Sequence, residues 1–225
     1  MNYLFDGVSL QNKRPSNMDS MLLKTRAFSG ISALLAVVCD GVGTLSDGAF
    51  ASGTAVKMLS EWFEKVETDS RIGLRMRDAI LDINTWITQA AENNNMETAS
   101  TLSALLLVEG DYYIVHVGDS RVYCYSEDFL TVLTGDDVSL SGKLTAYIGK
   151  RDEILLQYLE GKATGKIFIL CSDGLYKRMD EGVMVSKMKN SNKRSLKEPI
   201  KSLPQYVIER GEQDNITLAI VKIIA

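Results

Sequence analysis

The chain has 225 residues, with 25 Lys and Arg against 29 Asp and Glu, a single His and a formal net charge of -4. That balance, without a long basic run, excludes a nucleic-acid surface or a polybasic membrane patch. No stretch approaches the roughly 20 apolar residues of a membrane span and the N-terminus lacks a basic-then-apolar signal, so a cytoplasmic protein of one large domain, 1–225, is expected.

A first strand is expected at 3–10 and a second at 31–39, both rich in Val, Leu and other strand formers. Two helices follow. From 47 to 66, Ala51, Ala55, Met58, Leu59, Trp62, Phe63 and Val66 recur at three- and four-residue spacing, and from 71 to 91 Ile72, Met76, Ala79, Ile80, Ile83 and Ile87 do the same, giving each helix one apolar face to lay on a sheet. The polar run 91–100 is a loop. Strands are then expected at 101–108, 111–117, 120–125, 129–133, 154–159, 166–171 and 215–224. Several are separated only by Gly-Asp or Ser-Glu-Asp, too short for a parallel crossover, so they pair as antiparallel hairpins. Helical spacing returns at 179–190 and 195–209, where Pro199 and Pro204 favour one or more short helices over a continuous one, and the basic stretch 187–197 is a solvated junction between them.

Strands and helices in blocks, rather than strict alternation, indicate an α+β fold. So many strands would overload one open sheet, so two packed, mainly antiparallel sheets flanked by helices are expected. Cys39, Cys124 and Cys171 are an odd number of thiols, two of them within apolar runs, which fits reduced core residues; with His116 the only histidine, a zinc site of Cys and His is not indicated.

Four aspartates stand where apolar runs end or begin: Asp40, Asp119, Asp173 and Asp214. Each Asp-Gly or Asp-Ser alone is an ordinary turn former. Together they are carboxylates fixed at strand ends, where oxygen ligands can converge on a hard divalent cation.

The pieces Arg14-Pro15-Ser16-Asn17-Met18-Asp19, Cys39-Asp40-Gly41-Val42-Gly43, Ser100-Thr101, Gly118-Asp119-Ser120-Arg121, Leu133-Thr134, Leu144-Thr145-Ala146-Tyr147-Ile148-Gly149, Cys171-Ser172-Asp173-Gly174-Leu175 and Asp214-Asn215-Ile216-Thr217 stand in one order along nearly the whole chain. In that order the sequence resembles the metal-dependent protein phosphatases of type 2C in their compact bacterial form. The resemblance implies a four-layer α-β-β-α sandwich, a Mn2+ or Mg2+ pair in a cleft at one end with a third, weaker ion, and hydrolysis of phosphoserine and phosphothreonine in proteins, opposing a serine/threonine kinase. It assigns Asp40 as bridging carboxylate, Gly41 as a carbonyl ligand, Asp173 and Asp214 as further ligands of the first ion, Asp119 as a ligand of the third, Arg14 as the phosphate-binding arginine and Asp19 as the residue holding metal-bound water. Two ions about 4 Å apart would activate a bridging water for in-line attack without a covalent intermediate.

The departures matter as much. Met18 stands where the family carries a glutamate ligand of the second metal, and a thioether is a poor ligand for a hard cation, so weaker second-ion occupancy and a higher manganese requirement are expected. The usual flap is cut to about 135–143, and the family's Asp-His pair reads Asp136-Asp137, either aimed at the metals or a solvated acidic turn. Val42 replaces a histidine or methionine, leaving metal-bound water to protonate the leaving oxygen. Thr44 replaces a glycine beside the metals, and His116, within a strand, has a structural role. The alternatives to an active phosphatase are a pseudophosphatase that binds without turnover and, more distantly, an unrelated β-rich metal-binding domain. The physiological substrate, the kinase and the oligomeric state are not readable from the sequence.

Overall fold

The computed structural model describes residues 2–28, 30–43, 47–191 and 195–224. The elements run β1 (Asn2–Leu10), β2 (Ser20–Phe28), β3 (Ile31–Cys39), α1 (Gly48–Lys65), α2 (Ile72–Asn93), β4 (Leu102–Val108), β5 (Asp111–Val117), β6 (Arg121–Ser126), β7 (Phe129–Val132), β8 (Gln157–Lys162), β9 (Ile167–Cys171), α3 (Asp173–Tyr176), α4 (Glu181–Lys189), α5 (Lys197–Glu209) and β10 (Ile216–Ile224). Two five-stranded sheets form, ordered β1-β10-β9-β6-β7 and β2-β3-β4-β5-β8. Neighbouring strands in both are antiparallel.

Strand periodicity builds the layers. In β3, Ala33, Leu35, Val37 and Cys39 face α1 and α2, while Leu34, Ala36 and Val38 face the other sheet. In β10, Ala219 and Val221 meet them from the opposite side, and Ile216, Leu218 and Ile220 face α4 and α5. Central strands are therefore apolar on both faces, and the order is helices, sheet, sheet, helices, as the resemblance implied.

Three expectations need correction. Strand β2 was not foreseen because Lys24 and Arg26 interrupt it. They share the face of Leu22 and reach over the edge onto α1, where Lys24 Nζ donates to Ser60 Oγ at 2.8 Å and pairs with Glu64, and Arg26 donates to the Phe63 and Val66 carbonyls at 2.6 and 2.9 Å. Strand β8 starts at Gln157 rather than 154, since the ladder runs from His116↔Gln157 to Asp111↔Lys162 while Ile154 packs outside it. Helix α5 is continuous: Pro199 lies in its first turn, where a missing N–H leaves nothing unbonded, and the loss at Pro204 is offset by burying Leu203, Pro204 and Val207.

Register puts the functional loops at one end. Ser20 pairs with Cys39 and Leu102 with Val117 in one sheet; Leu10 pairs with Ile216, and Cys171 with both Leu218 and Arg121, in the other. The segments after β1, β3, β5 and β9 and before β2, β4, β6 and β10 consequently open on the same edge of the sandwich.

Candidate metal centre

At that edge lies a cleft of about 710 Å3 whose lining includes Arg14, Met18, Asp40, Gly41, Asp119, Asp173, Lys177 and Asp214. All four strand-end aspartates therefore share one cavity, two contributed from each sheet.

The backbone around Asp40 is fixed from several sides. Its N–H donates to Thr101 Oγ1 at 3.0 Å, and its carbonyl accepts from Thr101 N at 2.9 Å and from Ser100 Oγ at 3.1 Å. Thr101 Oγ1 in turn bonds Ser120 Oγ at 2.6 Å, tying the Asp40 loop to the Asp119 turn. Gly41 is packed so closely that an added Cβ would lie 2.6 Å from the carbonyl oxygens of both Gly48 and Met18, so only glycine lets these three segments meet. Asp173 opens α3, and Asp214 precedes β10.

Asp19 lies beneath the cleft, 8% exposed. Its Oδ2 accepts from Ser172 Oγ at 2.9 Å, but its Oδ1 is buried without a hydrogen-bond partner. Burial, followed by the Asp173 charge, pushes the Asp19 carboxyl up to about 6. Burial and then Asp173 likewise push Asp119 up to about 6, partly opposed by Lys177. Asp40 is raised as well, by burial first and then by the charges of Asp19, Asp173, Asp119 and Asp214. Burial, reinforced by mutual repulsion, thus disfavours the charged forms of these carboxylates.

The carboxylates do not yet form a cage: among the described residues, no three Asp, Glu, His or Cys side chains converge as a ready metal site. Two of them are turned onto cations of the chain. Asp173 pairs with Lys177, and Asp214 accepts both forks of Arg14, at 2.8 and 2.7 Å. Burial would raise Asp214, but Arg14 and the Asn215 N–H hold it below the usual carboxylate range. The donor chemistry nevertheless fits a hard divalent ion: all-oxygen donors, repulsion around Asp40 only partly offset by Lys177 and Arg14, and an orphaned carboxylate oxygen.

Arg14 sits on a loop stapled by one side chain. Asn215 Nδ2 donates to the carbonyls of Gln11 and Ser16 at 2.8 and 3.0 Å, while its Oδ1 accepts from Met18 N at 3.0 Å. Met18 lines the cleft, its Sδ 3.7 Å from where a Cβ on Gly43 would stand.

Asp136 and Asp137 are not brought into the cleft. Asp136 takes both forks of Arg121 at 3.0 and 2.8 Å, and Asp137 accepts from Gly118 N at 2.9 Å. The shortened flap is a tight turn closed by Ser139 N on the Lys143 carbonyl at 2.8 Å, whose Gly142, Lys143 and Leu144 still reach the cleft rim. His116 is fully buried: Nε2 donates to the Gly118 carbonyl at 3.1 Å, so Nδ1 accepts from Ser103 Oγ at 2.9 Å, and burial lowers its pKa. Val42 lines the cleft, and Thr44 lies outside the described residues. The three cysteines are free and buried. No helix among the described residues is long and apolar enough to cross a membrane. Sequence reasoning did not single out Lys177, which looks like a surface lysine, nor the anchoring roles of Thr101, Ser172 and Asn215; their side-chain partners lie far off in sequence.

Comparison with known proteins agrees with this fold. The serine/threonine phosphatase stp of Listeria innocua is 33% identical over 216 residues, covering 84% of each chain, and the PstP serine/threonine phosphatase of Mycobacterium tuberculosis is 24% identical over 94% of this chain and 43% of its own. The structure of the S. agalactiae serine/threonine phosphatase superposes with a TM-score of 0.87 at 19% identity, covering 99% of this chain and 100% of that one, and the crystal structure of M. tuberculosis PstP/Ppp with 0.86 at 21% identity, covering 99% of each. Residues 9–208 match the protein phosphatase 2C family, and the chain belongs to it.

Proposed function

We propose that the chain is a metal-dependent phosphatase of phosphoserine and phosphothreonine in proteins, acting as one domain over 1–225 in the cytoplasm against a serine/threonine kinase. The observation that carries this reading is the meeting of Asp40, Asp119, Asp173 and Asp214 with Arg14 around one cleft. Asp40, the Gly41 carbonyl, Asp173 and Asp214 would hold Mn2+ or Mg2+ there, two ions with Asp40 as their shared carboxylate, and Asp119 would serve a third, weaker one. When bound, such ions supply Lewis acidity and a water activated near neutral pH.

The chain's own residues bind and orient. Arg14 offers a planar fork matched to a tetrahedral dianion, and it reaches the phosphate by exchanging one bidentate acceptor, Asp214, for another. Asp19, anchored by Ser172, keeps one oxygen free to position water. Val42 supplies no proton, so at its position water would have to protonate the leaving oxygen.

Hydrolysis of a phosphothreonine peptide across a Mn2+ titration tests the reading, with Asp40→Asn as control. Turnover that saturates with metal and disappears in the control is expected. Peptide binding without turnover at any metal concentration would instead make the chain a regulatory binding module.

A further inference from the structure

Lys177 is a cation inside an acidic cleft, and its place is set by the shortest helix of the fold. Asp173 begins α3 and Lys177 caps it, its N–H bonded to the Asp173 carbonyl at 3.1 Å. One helical turn therefore stacks the two side chains on the same face, and Nζ pairs with Asp173 Oδ2. From there the ammonium lines the same cavity as Asp40, Asp119 and Asp214. The neighbouring cation is unavailable for this: Arg121 is bound by Asp136 and lies over the Tyr176 ring, 3.8 Å from its centroid. Asp119, by contrast, has no ion pair of its own among the described residues.

We propose that the Lys177 ammonium stands in for a divalent ion between Asp173 and Asp119, so that the chain carries part of its cleft counter-charge covalently and binds one metal ion fewer, or far more weakly, on that side. The inference rests on the reading of the cleft as a metal centre. The ammonium donates to Asp173 Oδ2 and shares the cavity with Asp119, the carboxylate proposed for a third ion, and it does so at every metal concentration. Of the cleft carboxylates Asp173 acts on it most strongly, then Asp119 and then Asp40.

Isothermal titration of the intact chain with MnCl2 tests this on native protein, Lys177→Met and Lys177→Arg. The Lys177 side chain is 56% exposed, so the methionine variant keeps the fold, checked by its thermal midpoint. Expected is one additional Mn2+ in Lys177→Met, or a weakest site tightened about tenfold, with Lys177→Arg behaving as native. Adding Asp119→Asn to Lys177→Met removes the gained ion. Equal stoichiometry and affinity in native and Lys177→Met overturns the proposal while leaving the metal centre intact. No Mn2+ binding by either protein overturns the metal centre itself and this inference with it.

Discussion

Arg14 and Asp214 lock fork to fork across the cleft mouth, Nε donating to one carboxylate oxygen at 2.8 Å and Nη2 to the other at 2.7 Å. The proposed phosphate ligand and a proposed metal ligand thus occupy one another. The pair is half exposed, with side chains 53% and 36% accessible, so it is worth at most about 1 kcal/mol and is easily exchanged. Arg14→Ala should therefore act in opposite directions on two measurements. Loss of a bidentate charged contact lowers kcat/KM on a phosphopeptide by about tenfold to a hundredfold, while freeing Asp214 tightens Mn2+ by no more than about fivefold. Weaker Mn2+ binding in the variant would show that Arg14 supports the metal rather than competing with it.

Met18 offers a simpler test, because its backbone is already held in place by Asn215 and Ser52. Its carbonyl accepts from Ser52 Oγ at 2.6 Å, and its N–H is bound by Asn215. Substituting Met18→Glu changes only the side chain that enters the cleft, exchanging a soft sulfur for a hard oxygen donor. Half-saturating Mn2+ for peptide hydrolysis should fall by about tenfold or more. An unchanged metal requirement would mean that the side chain at this position does not reach an ion.

Metal removal should leave a distinctive pH dependence. Asp19 and Asp119 are pushed up to about 6, and Asp40 is raised as well, in each case by burial ahead of charge repulsion. These groups hold protons more tightly folded than unfolded, where carboxyls titrate near about 4. Their contribution to stability is present below about pH 4 and is lost as pH rises through about 6. Asp214, lowered by Arg14, acts in the other direction, its contribution present above about pH 4 and lost on acidification, but it is one group against three. The thermal midpoint of chelator-treated protein should fall between about pH 5 and pH 7.5. Mn2+ should reverse the fall, and Asp40→Asn should reduce it. A flat profile, identical in native and Asp40→Asn, would remove the argument that burial and repulsion hold protons on these carboxylates.

Much of this site could be read from the sequence because of where its residues lie. Strands β3, β9 and β10 are buried on both faces, so their apolar runs are nearly unbroken and Asp40, Asp173 and Asp214 at their ends stand out. Strand β2 was hidden because an edge strand can lay Lys24 and Arg26 over a helix, and a lysine in a pattern is silent about its partner. For the same reason the sequence left Asp136 and Asp137 either aimed at the metals or in a solvated turn, whereas Arg121 and the Gly118 N–H hold them away from the cleft. Lys177 looked ordinary because the helix that aims it is four residues long, below the reach of periodicity.

The contact between Gly174 and Asn215 gives the most direct test of whether Asp173 and Asp214 serve the same ion. A Cβ on Gly174 would lie 2.0 Å from the Asn215 carbonyl oxygen and 3.4 Å from Asp214 Cβ. The obstacle is backbone, so Gly174→Ala must push α3 away from the segment before β10, costing about 1–3 kcal/mol as overpacking and parting the two carboxylates. A metal site tolerates ligand errors of only tenths of an ångström, so Mn2+ affinity should drop by about tenfold or more. Gly165 supplies the control: it has φ +74 in a turn with no atom within 4 Å of an added Cβ. Gly165→Ala carries a left-handed strain of about 1–2 kcal/mol and leaves the cleft untouched. Comparable destabilisation in the two variants, with Mn2+ binding lost only in Gly174→Ala, is the expected result. Undiminished binding in a folded Gly174→Ala would mean that Asp173 and Asp214 do not share an ion, and the proposed first site would have to be rebuilt around Asp40 without one of them.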